Sequence, residues 1–371
     1  MKILLVITGL GVGGAERLVT NLADHFATAG HEVVLAYFHG ESELRPYDPR
    51  VRLVNLQMRR SPLGVIVAMG RLRRLIREFR PAVVNSHMVH ANILTRLLRL
   101  VTPLPRLVSS AHSTNEGGRG RMLAYRLTNW LADTTTNVSD EAVEAFEQKR
   151  ALRPGRMRAI YNGVDMQSFT FDESARRIMR RELCVDESSL LLLAVGRLVK
   201  QKDYPNLLRA FAKLEVGSMS PRLVIVGDGP LRDDLVVIAE SLGVTNRVTF
   251  LGVRHDVPAL LSACDLFVLS SCNEGFGLVV AEAMACNRMV VATDCGGVKE
   301  VVGEIGYLVP PDDSAALAET LACALHLPPE ERLRLGQAGR DRVIANFSLD
   351  TTAKGYLNIY KGLNQPASPE R

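Results

Sequence analysis

Two carboxylates with seven residues between them, Glu274 and Glu282, stand in the stretch Asp265–Val302, which holds the densest chemistry in this 371-residue chain. The stretch reads as a buried strand (Leu266–Leu269), a polar loop with one acid, and a helix that opens at Gly275-Phe276-Gly277. A second buried strand (Met289–Ala292), a Gly296-Gly297 loop and another helix follow. Strand–loop–helix alternation of this kind puts the loops at the carboxyl end of a parallel sheet, where open α/β sheets bind ligands. An ionised carboxylate accepts strong hydrogen bonds from O–H donors, so a ligand rich in hydroxyls suits the pair. A sugar nucleotide has those hydroxyls, and its phosphates suit the backbone N–H groups of a helix start near Leu278.

The elements that must position these groups fall into two series. Lys2–Thr8, Glu32–Tyr37, Ala82–Ser86, Arg106–Ser109, Thr134–Val138 and Arg158–Tyr161 read as strands, with an amphipathic helix over Ala15–Ala29 and a basic one near residues 61–80. The pattern restarts at Ser189–Val195 and continues through Arg222–Val226, Val248–Phe250, Leu266–Leu269 and Met289–Ala292. Such alternation makes doubly wound parallel sheets. The expected class is α/β with two Rossmann-like domains facing across a cleft. Residues 1–168 form the first and 169–348 the second, and a final helix within 349–371 packs back onto the first. Phe169–Glu187 is charged and helical and reads as a linker, and the tail QPASPER reads as disordered.

Gly9-Leu-Gly11-Val-Gly13-Gly14 satisfies G-x-G-x-x-G between a strand and a helix, which alone suggests an NAD-dependent dehydrogenase. That fold needs an acid at the end of the second strand for the ribose. Residues 33–39 carry none, and Glu41 comes late. The loop still lets backbone approach a ligand closely, and the helix start offers N–H groups to an anion. Glu16 in its first turn also suits the helix dipole.

Composition narrows the partners. No apolar run approaches the roughly 20 residues of a membrane span, and the start MKILLVITGL reads as a strand rather than a secretory signal. A cytoplasmic protein is expected. The six cysteines, at 184, 264, 272, 286, 295 and 323, show no C-x-x-C spacing and read as small buried hydrophobes rather than a metal site. Residues 1–180 carry 26 Lys and Arg against 16 Asp and Glu, whereas 181–371 carry 19 against 24. Sixteen arginines and only three acids lie from Arg45 to Arg126. The basic helix admits two readings, a face for an anionic membrane or a solvated surface. Nucleic acid is disfavoured because aromatics for base stacking are scarce there.

Gly13-Gly14-Ala15-Glu16, His112, Val138-Ser139, Tyr161-Asn162-Gly163-Val164-Asp165, Gly196-Arg197-Leu198 with Lys202, Gly227-Asp228-Gly229-Pro230 and Glu274-Gly275-Phe276-Gly277 through Glu282 stand in order along nearly the whole chain. Together they resemble the GT-B glycosyltransferases, and within them the retaining family 4 enzymes of bacterial surface-polysaccharide type. The resemblance implies a nucleotide-sugar donor, UDP being the commonest, bound in the second domain. It implies a saccharide or lipid-linked saccharide acceptor in the first, as in lipopolysaccharide, capsule or exopolysaccharide synthesis. Together with the basic charge of that domain, this suggests a cytoplasmic protein lying peripherally on the inner face of the cytoplasmic membrane. No cofactor or metal is expected, and the chain has no D-x-D pair.

The resemblance also distributes roles. Arg197 and Lys202 would neutralise the departing diphosphate, Glu274 would hold the sugar hydroxyls, and Glu282 the ribose. Backbone at Gly275, Phe276, Gly277 and Leu278 would face the sugar or diphosphate. Gly14 would also touch the donor, with Gly13 and Glu16 completing an acceptor or phosphate loop. His112 would position the sugar near the reacting centre, although a lone histidine is more often structural. Ser139 and Asn162 would serve equally well as a helix cap and a turn, and Gly296-Gly297 as a donor loop or a tight turn. A GT-B sugar-nucleotide epimerase is the alternative enzyme. A glycoside hydrolase would also use two carboxylates, but a diphosphate clamp has no use there.

Overall fold

A computed structural model describes residues 1–186, 189–214 and 220–363, and divides into two compact units. Met1–Gly163 with the chain from Leu349 onward forms the first, and Val164–Ser348 the second.

The first unit is built on strands β1 (Lys2–Ile7), β2 (Glu32–Tyr37), β3 (Arg52–Asn55), β4 (Val83–His87), β5 (Leu107–Ser110), β6 (Thr134–Asn137) and β7 (Met157–Ala159). They lie in the order β3-β2-β1-β4-β5-β6-β7, every pair parallel. Parallel sheets are covered on both faces, which is why these strands are nearly continuous buried runs. The helix Gly14–Thr28 covers one face with Leu18, Leu22 and Phe26. Pro62–Phe79 contributes Ala68, Leu72, Leu75 and Ile76 to the core on the other. The outward side of that basic helix leaves Leu63 and Ile66 exposed beside Arg71, Arg74 and Arg77.

Leu349–Lys361 is a helix of this first unit. Its Tyr356, Ile359 and Tyr360 share a core with Phe26, and the Tyr360 hydroxyl accepts a 2.7 Å bond from Asn85 Nδ2. Thr352 Oγ1 donates to the Tyr161 carbonyl at 2.9 Å. The QPASPER segment, residues 365–371, lies outside the described residues.

The second unit holds β8 (Leu191–Val195), β9 (Arg222–Val226), β10 (Val248–Gly252), β11 (Leu266–Leu269), β12 (Met289–Thr293) and β13 (Tyr307–Val309). The order is β10-β9-β8-β11-β12-β13, again all parallel. Each sheet therefore reverses its winding at one place, between β1 and β4 in the first unit and between β8 and β11 in the second. At these points neighbouring loops diverge and leave a crevice.

Three readings of the sequence need correction. Phe169–Glu187 is not a linker: Glu173–Glu182 is a helix of the second unit, docked on Val257–Ala263. Its start is capped by Asp172, whose Oδ1 accepts from Ser174 N and Ala175 N at 2.7 and 3.1 Å. Arg176 and Arg180 then reach Asp265 at 2.7 and 3.2 Å, at the amino end of β11. β3 and β13 were not read from the sequence. Of the cysteines, Cys264, Cys286 and Cys295 are buried, and burial pushes each thiol up to about 12. Cys184, Cys272 and Cys323 are exposed instead.

Candidate active site

The switch point of the second unit assembles the residues with chemical potential. After β8 the chain turns at Gly196, crosses a short helical turn at Lys200–Lys202, and enters the helix Tyr204–Ala212 at Asp203. After β11 it runs through Ser270 and Ser271 to Glu274. These two loops meet: Lys202 Nζ lies 2.6 Å from Glu274 Oε1, with side-chain exposures of 20% and 14%. Ser271 Oγ donates to the same oxygen at 2.7 Å. Ser270 Oγ bonds the Lys202 carbonyl at 2.9 Å, and Cys272 N bonds the Gln201 carbonyl at 2.9 Å. Lys202 is thus held at its backbone as well as at its tip, and Glu274 at its carboxylate.

Glycines make this approach possible. The Lys202 stem runs across Gly196, where a Cβ would stand 3.2 Å from Lys202 Cε. Tyr204, buried, donates its hydroxyl to the Gly196 carbonyl at 3.1 Å, and burial raises its pKa. Gly196 N and Leu198 N bond the carbonyls of Val226 and Asp228, which joins the Gly-Arg-Leu and Gly-Asp-Gly-Pro loops. Gly296 has φ +58°, and a Cβ there would collide with the Glu274 carbonyl. Gly296-Gly297 is therefore the backing of the Glu274 loop, a close approach and not merely a tight turn.

The remaining expected donor residues surround this pair unevenly. The Arg197 side chain is exposed, and its guanidinium bonds no other described residue. Gly277, at φ +83°, precedes the helix Leu278–Ala285, and no side chain caps the first turn. Glu282 is buried on that helix, 3% exposed among Val280, Ala281, Ala283 and Met284. Phe276 is also buried, with its ring 5.4 Å edge-on from Phe347, so its side chain anchors the core. Only its backbone remains for a ligand.

In the first unit, Gly9–Gly14 follows β1 at the switch point and Gly13 precedes the helix Gly14–Thr28. The Glu16 carboxylate folds back over Gly13, where a Cβ would strike it. A carboxylate there repels phosphate and accepts hydroxyls.

His112 follows β5, half-buried. His87 ends β4 and is fully buried, and its Nδ1 lies 3.0 Å from His112 Nε2. Burial lowers His112 to about 4 and His87 well below its ordinary value, so both rings are neutral near pH 7. Glu116 accepts the His112 amide at 3.0 Å, and burial raises its carboxyl despite that bond and another from Val89 N. Ser139 is a helix cap, its Oγ accepting from Ala142 N at 3.1 Å.

Sequence reasoning missed Ser270, Ser271, Tyr204, His87 and Glu116. A signal for the serines was present, since both stand directly after a buried apolar strand and before the acid. Nothing local marked His87, whose partner lies 25 residues away.

Among the described residues no cluster of three or more His, Cys, Asp or Glu could hold a metal ion, and no helix is long and apolar enough to cross a membrane.

Residues 175–342 match the family model for glycosyl transferases group 1, and residues 12–168 that for glycosyltransferase family 4. An uncharacterized glycosyltransferase of Methanocaldococcus jannaschii is 33% identical over 291 residues, 74% of this chain and 73% of that one. The lipopolysaccharide core biosynthesis glycosyltransferase of Rhizobium meliloti is 25% identical over 94% of this chain and 95% of its own. The N-acetyl-alpha-D-glucosaminyl L-malate synthase of Bacillus anthracis is 30% identical over 62% of this chain, a match spanning only 59% of that relative's length. The crystal structure of Anabaena HepE in complex with UDP and glucose has the same fold, with a TM-score of 0.84 over 98% of this chain and 100% of that one, at 23% identity. Two parallel-sheet units, matches to both family models and these relatives agree: the chain is a GT-B glycosyltransferase of group 1, with a family 4 amino-terminal half.

Proposed function

We propose that this enzyme moves a hexose or N-acetylhexosamine from a UDP-sugar to a hydroxyl of a saccharide or lipid-linked saccharide, with retained anomeric configuration, in surface-polysaccharide synthesis. The observation that carries this reading is the Lys202–Glu274 pair at the switch point. In a nucleotide sugar the β-phosphate and the sugar ring share the anomeric oxygen. A cation for the one and a carboxylate for the other must then stand within a few ångströms, as these do. The relative in lipopolysaccharide core synthesis supports the acceptor class, and the UDP-bound neighbour supports the base.

As the glycosidic bond to the diphosphate breaks, negative charge grows on the β-phosphate. Lys202 and Arg197, fixed in place beforehand, stabilise that charge more than the ground state. We propose that they do so without a metal. Glu274 accepts the sugar hydroxyls and orients the anomeric carbon, Glu282 serves the ribose, and backbone at Gly275–Leu278 approaches the diphosphate. The first unit contributes Gly13, Gly14 and Glu16 toward the acceptor hydroxyls, and His112 toward the reaction. Same-face substitution, in which the leaving phosphate accepts the acceptor proton, yields retention without a covalent sugar–enzyme step. The basic face with Leu63 and Ile66 fits a cytoplasmic enzyme resting on an anionic membrane.

A thermal-shift panel of nucleotide sugars tests the donor class. A specific donor at one hundred times its Kd stabilises the fold by about 2.7 kcal/mol. UDP-sugars should raise the melting temperature and GDP- and ADP-sugars should not; the reverse order would refute the UDP assignment. With the stabilising donor, UDP release should require added acceptor. Free UDP or an isomerised donor formed without acceptor would support an epimerase instead. Glu274→Gln keeps the shape but weakens acceptance from hydroxyls. It should lower kcat/KM by about a hundredfold, as measured by acceptor-dependent UDP release. A loss below threefold would remove Glu274 from the sugar.

A further inference from the structure

We propose that the open cavity at the carboxyl ends of β2 and β3 is a further acceptor subsite. It would hold an uncharged or amine-bearing sugar ring, the one next to the ring that receives the transferred sugar. The proposal rests on the reading above, in which the glycine loop of the first unit faces the acceptor.

The backbone builds the cavity. Tyr37 and Asn55 are register partners at the ends of neighbouring parallel strands, so their side chains leave the sheet on the same face. The chain after β2 then runs beside the glycine loop. Leu10 and Ser42 form a parallel bridge, and the Leu10 carbonyl accepts from Glu43 N at 2.9 Å and Leu44 N at 3.1 Å. The space enclosed is about 340 Å³, lined by Tyr37, Glu41, Ser42, Glu43, Arg45 and Asn55. Small-molecule sites run from about 300 to 1,000 Å³, so this one is sized for a single unit such as a sugar ring.

The lining groups have few protein partners. Tyr37 is 6% exposed, with its ring in the core beneath the helix Gly14–Thr28, and its hydroxyl bonds no other described residue. A tyrosine hydroxyl this deep ordinarily finds a partner, and the cavity is where one can enter. Glu41 and Glu43 are exposed, and neither carboxylate bonds a described residue. Arg45 Nε donates to the Ser42 carbonyl and Oγ at 3.1 and 2.9 Å, which anchors the side chain and leaves its terminal N–H groups as donors. Asn55 Oδ1 accepts from Gln57 N at 2.8 Å, which leaves its amide NH2 as another.

Donors and acceptors spread around one space match sugar hydroxyls, each of which both gives and takes a hydrogen bond. Two carboxylates against one guanidinium leave a net negative lining, which repels a uronate or phosphate and attracts an amine. Glu43 ties the cavity to the acceptor loop: its Oε1 lies 4.0 Å from where a Cβ on Gly11 would stand. Glu16 flanks the same loop at Gly13. A saccharide lying along this loop would set its accepting ring by Gly13 and Glu16 and the next ring in the cavity.

The test uses the full chain with the UDP-sugar that stabilises it. Oligosaccharides whose second ring is neutral, amine-bearing or a uronate are each compared with the methyl glycoside of their terminal sugar. For the accepted saccharide, KM should lie about tenfold below that of its glycoside, and its second ring should carry no negative charge. The double variant Glu41→Gln, Glu43→Gln keeps the shape of the cavity. It should cut that preference to below about threefold while the donor KM changes less than twofold. Equal KM for oligosaccharide and glycoside in the wild type would overturn the proposal. So would a preference that survives in the double variant, or a uronate taken best. If no saccharide is turned over, the transfer reading fails, and saturation-transfer NMR with the same oligosaccharides decides the cavity by itself. Binding lost in the double variant would support a sugar site there; no binding to the wild type, or equal binding to both, would overturn it.

Discussion

Lys202→Ala should lower kcat/KM by about a thousandfold, mostly through kcat, while the fold persists. Removing one preplaced donor from a developing anion typically costs about 3–4 kcal/mol of transition-state stabilisation. The split toward kcat follows because the β-phosphate carries more charge after bond breaking than before it. Without ligand, Lys202 is paired to Glu274, and the variant leaves that carboxylate only Ser271 Oγ as a partner among the described residues. A pair this close to solvent should lose about 1–2 kcal/mol of stability, well short of unfolding. Arg197→Ala should act in the same direction more weakly, since its guanidinium is exposed and unanchored. Initial-rate kinetics across donor concentrations separate the terms. A Lys202→Ala enzyme within tenfold of wild type would deny this lysine the leaving group.

Asp265→Ala should do the opposite, costing roughly 3–5 kcal/mol of stability with little effect on chemistry below the unfolding transition. Asp265 stands at the amino end of β11, away from the switch-point loops at the carboxyl end. Its carboxylate accepts from Arg176 at 2.7 Å, from Arg180 at 3.2 Å and from Leu191 N at 2.8 Å. Arg180 is 1% exposed, so losing Asp265 takes a carboxylate partner from a buried charge that otherwise bonds the carbonyls of Ala263, Asp186 and Ser189. The helix Glu173–Glu182 would loosen first. For a unit of this size the melting temperature should drop by about 10 °C. A drop under 3 °C would show that the Arg–Asp contacts contribute little.

These two carboxylates, one on either side of β11, show what sequence patterning does and does not reveal. β8, β9, β11 and β12 were legible because buried parallel strands are unbroken apolar runs bounded by glycine or polar loops. β3 (Arg52–Asn55) and β13 (Tyr307–Val309) were not, because short edge strands carry no such run. Glu173–Glu182 was legible as a helix, but its charges suggested solvent. Its docking depends on an aspartate more than eighty residues away, a contact no local pattern encodes. The same limit applies at the site. Glu274 stood out as the acid after a buried strand, whereas its pairing with Lys202 across 72 residues exists only once β8 and β11 are neighbours. Gly296 read equally well as a turn, because the Glu274 carbonyl that excludes a side chain belongs to another loop. His87 was hidden for a related reason: a histidine ending a buried strand looks like core until its ring partner is placed.

The decisive measurement is a crystal structure with an intact or non-hydrolysable UDP-sugar. Diphosphate oxygens should lie within hydrogen-bonding distance of Lys202 Nζ and Arg197, with sugar hydroxyls on the Glu274 carboxylate and the Lys202–Glu274 contact opened to admit them. Nucleotide bound instead at Gly9–Gly14 of the first unit, with Lys202 still closed on Glu274, would contradict the assignment of the donor to the second unit.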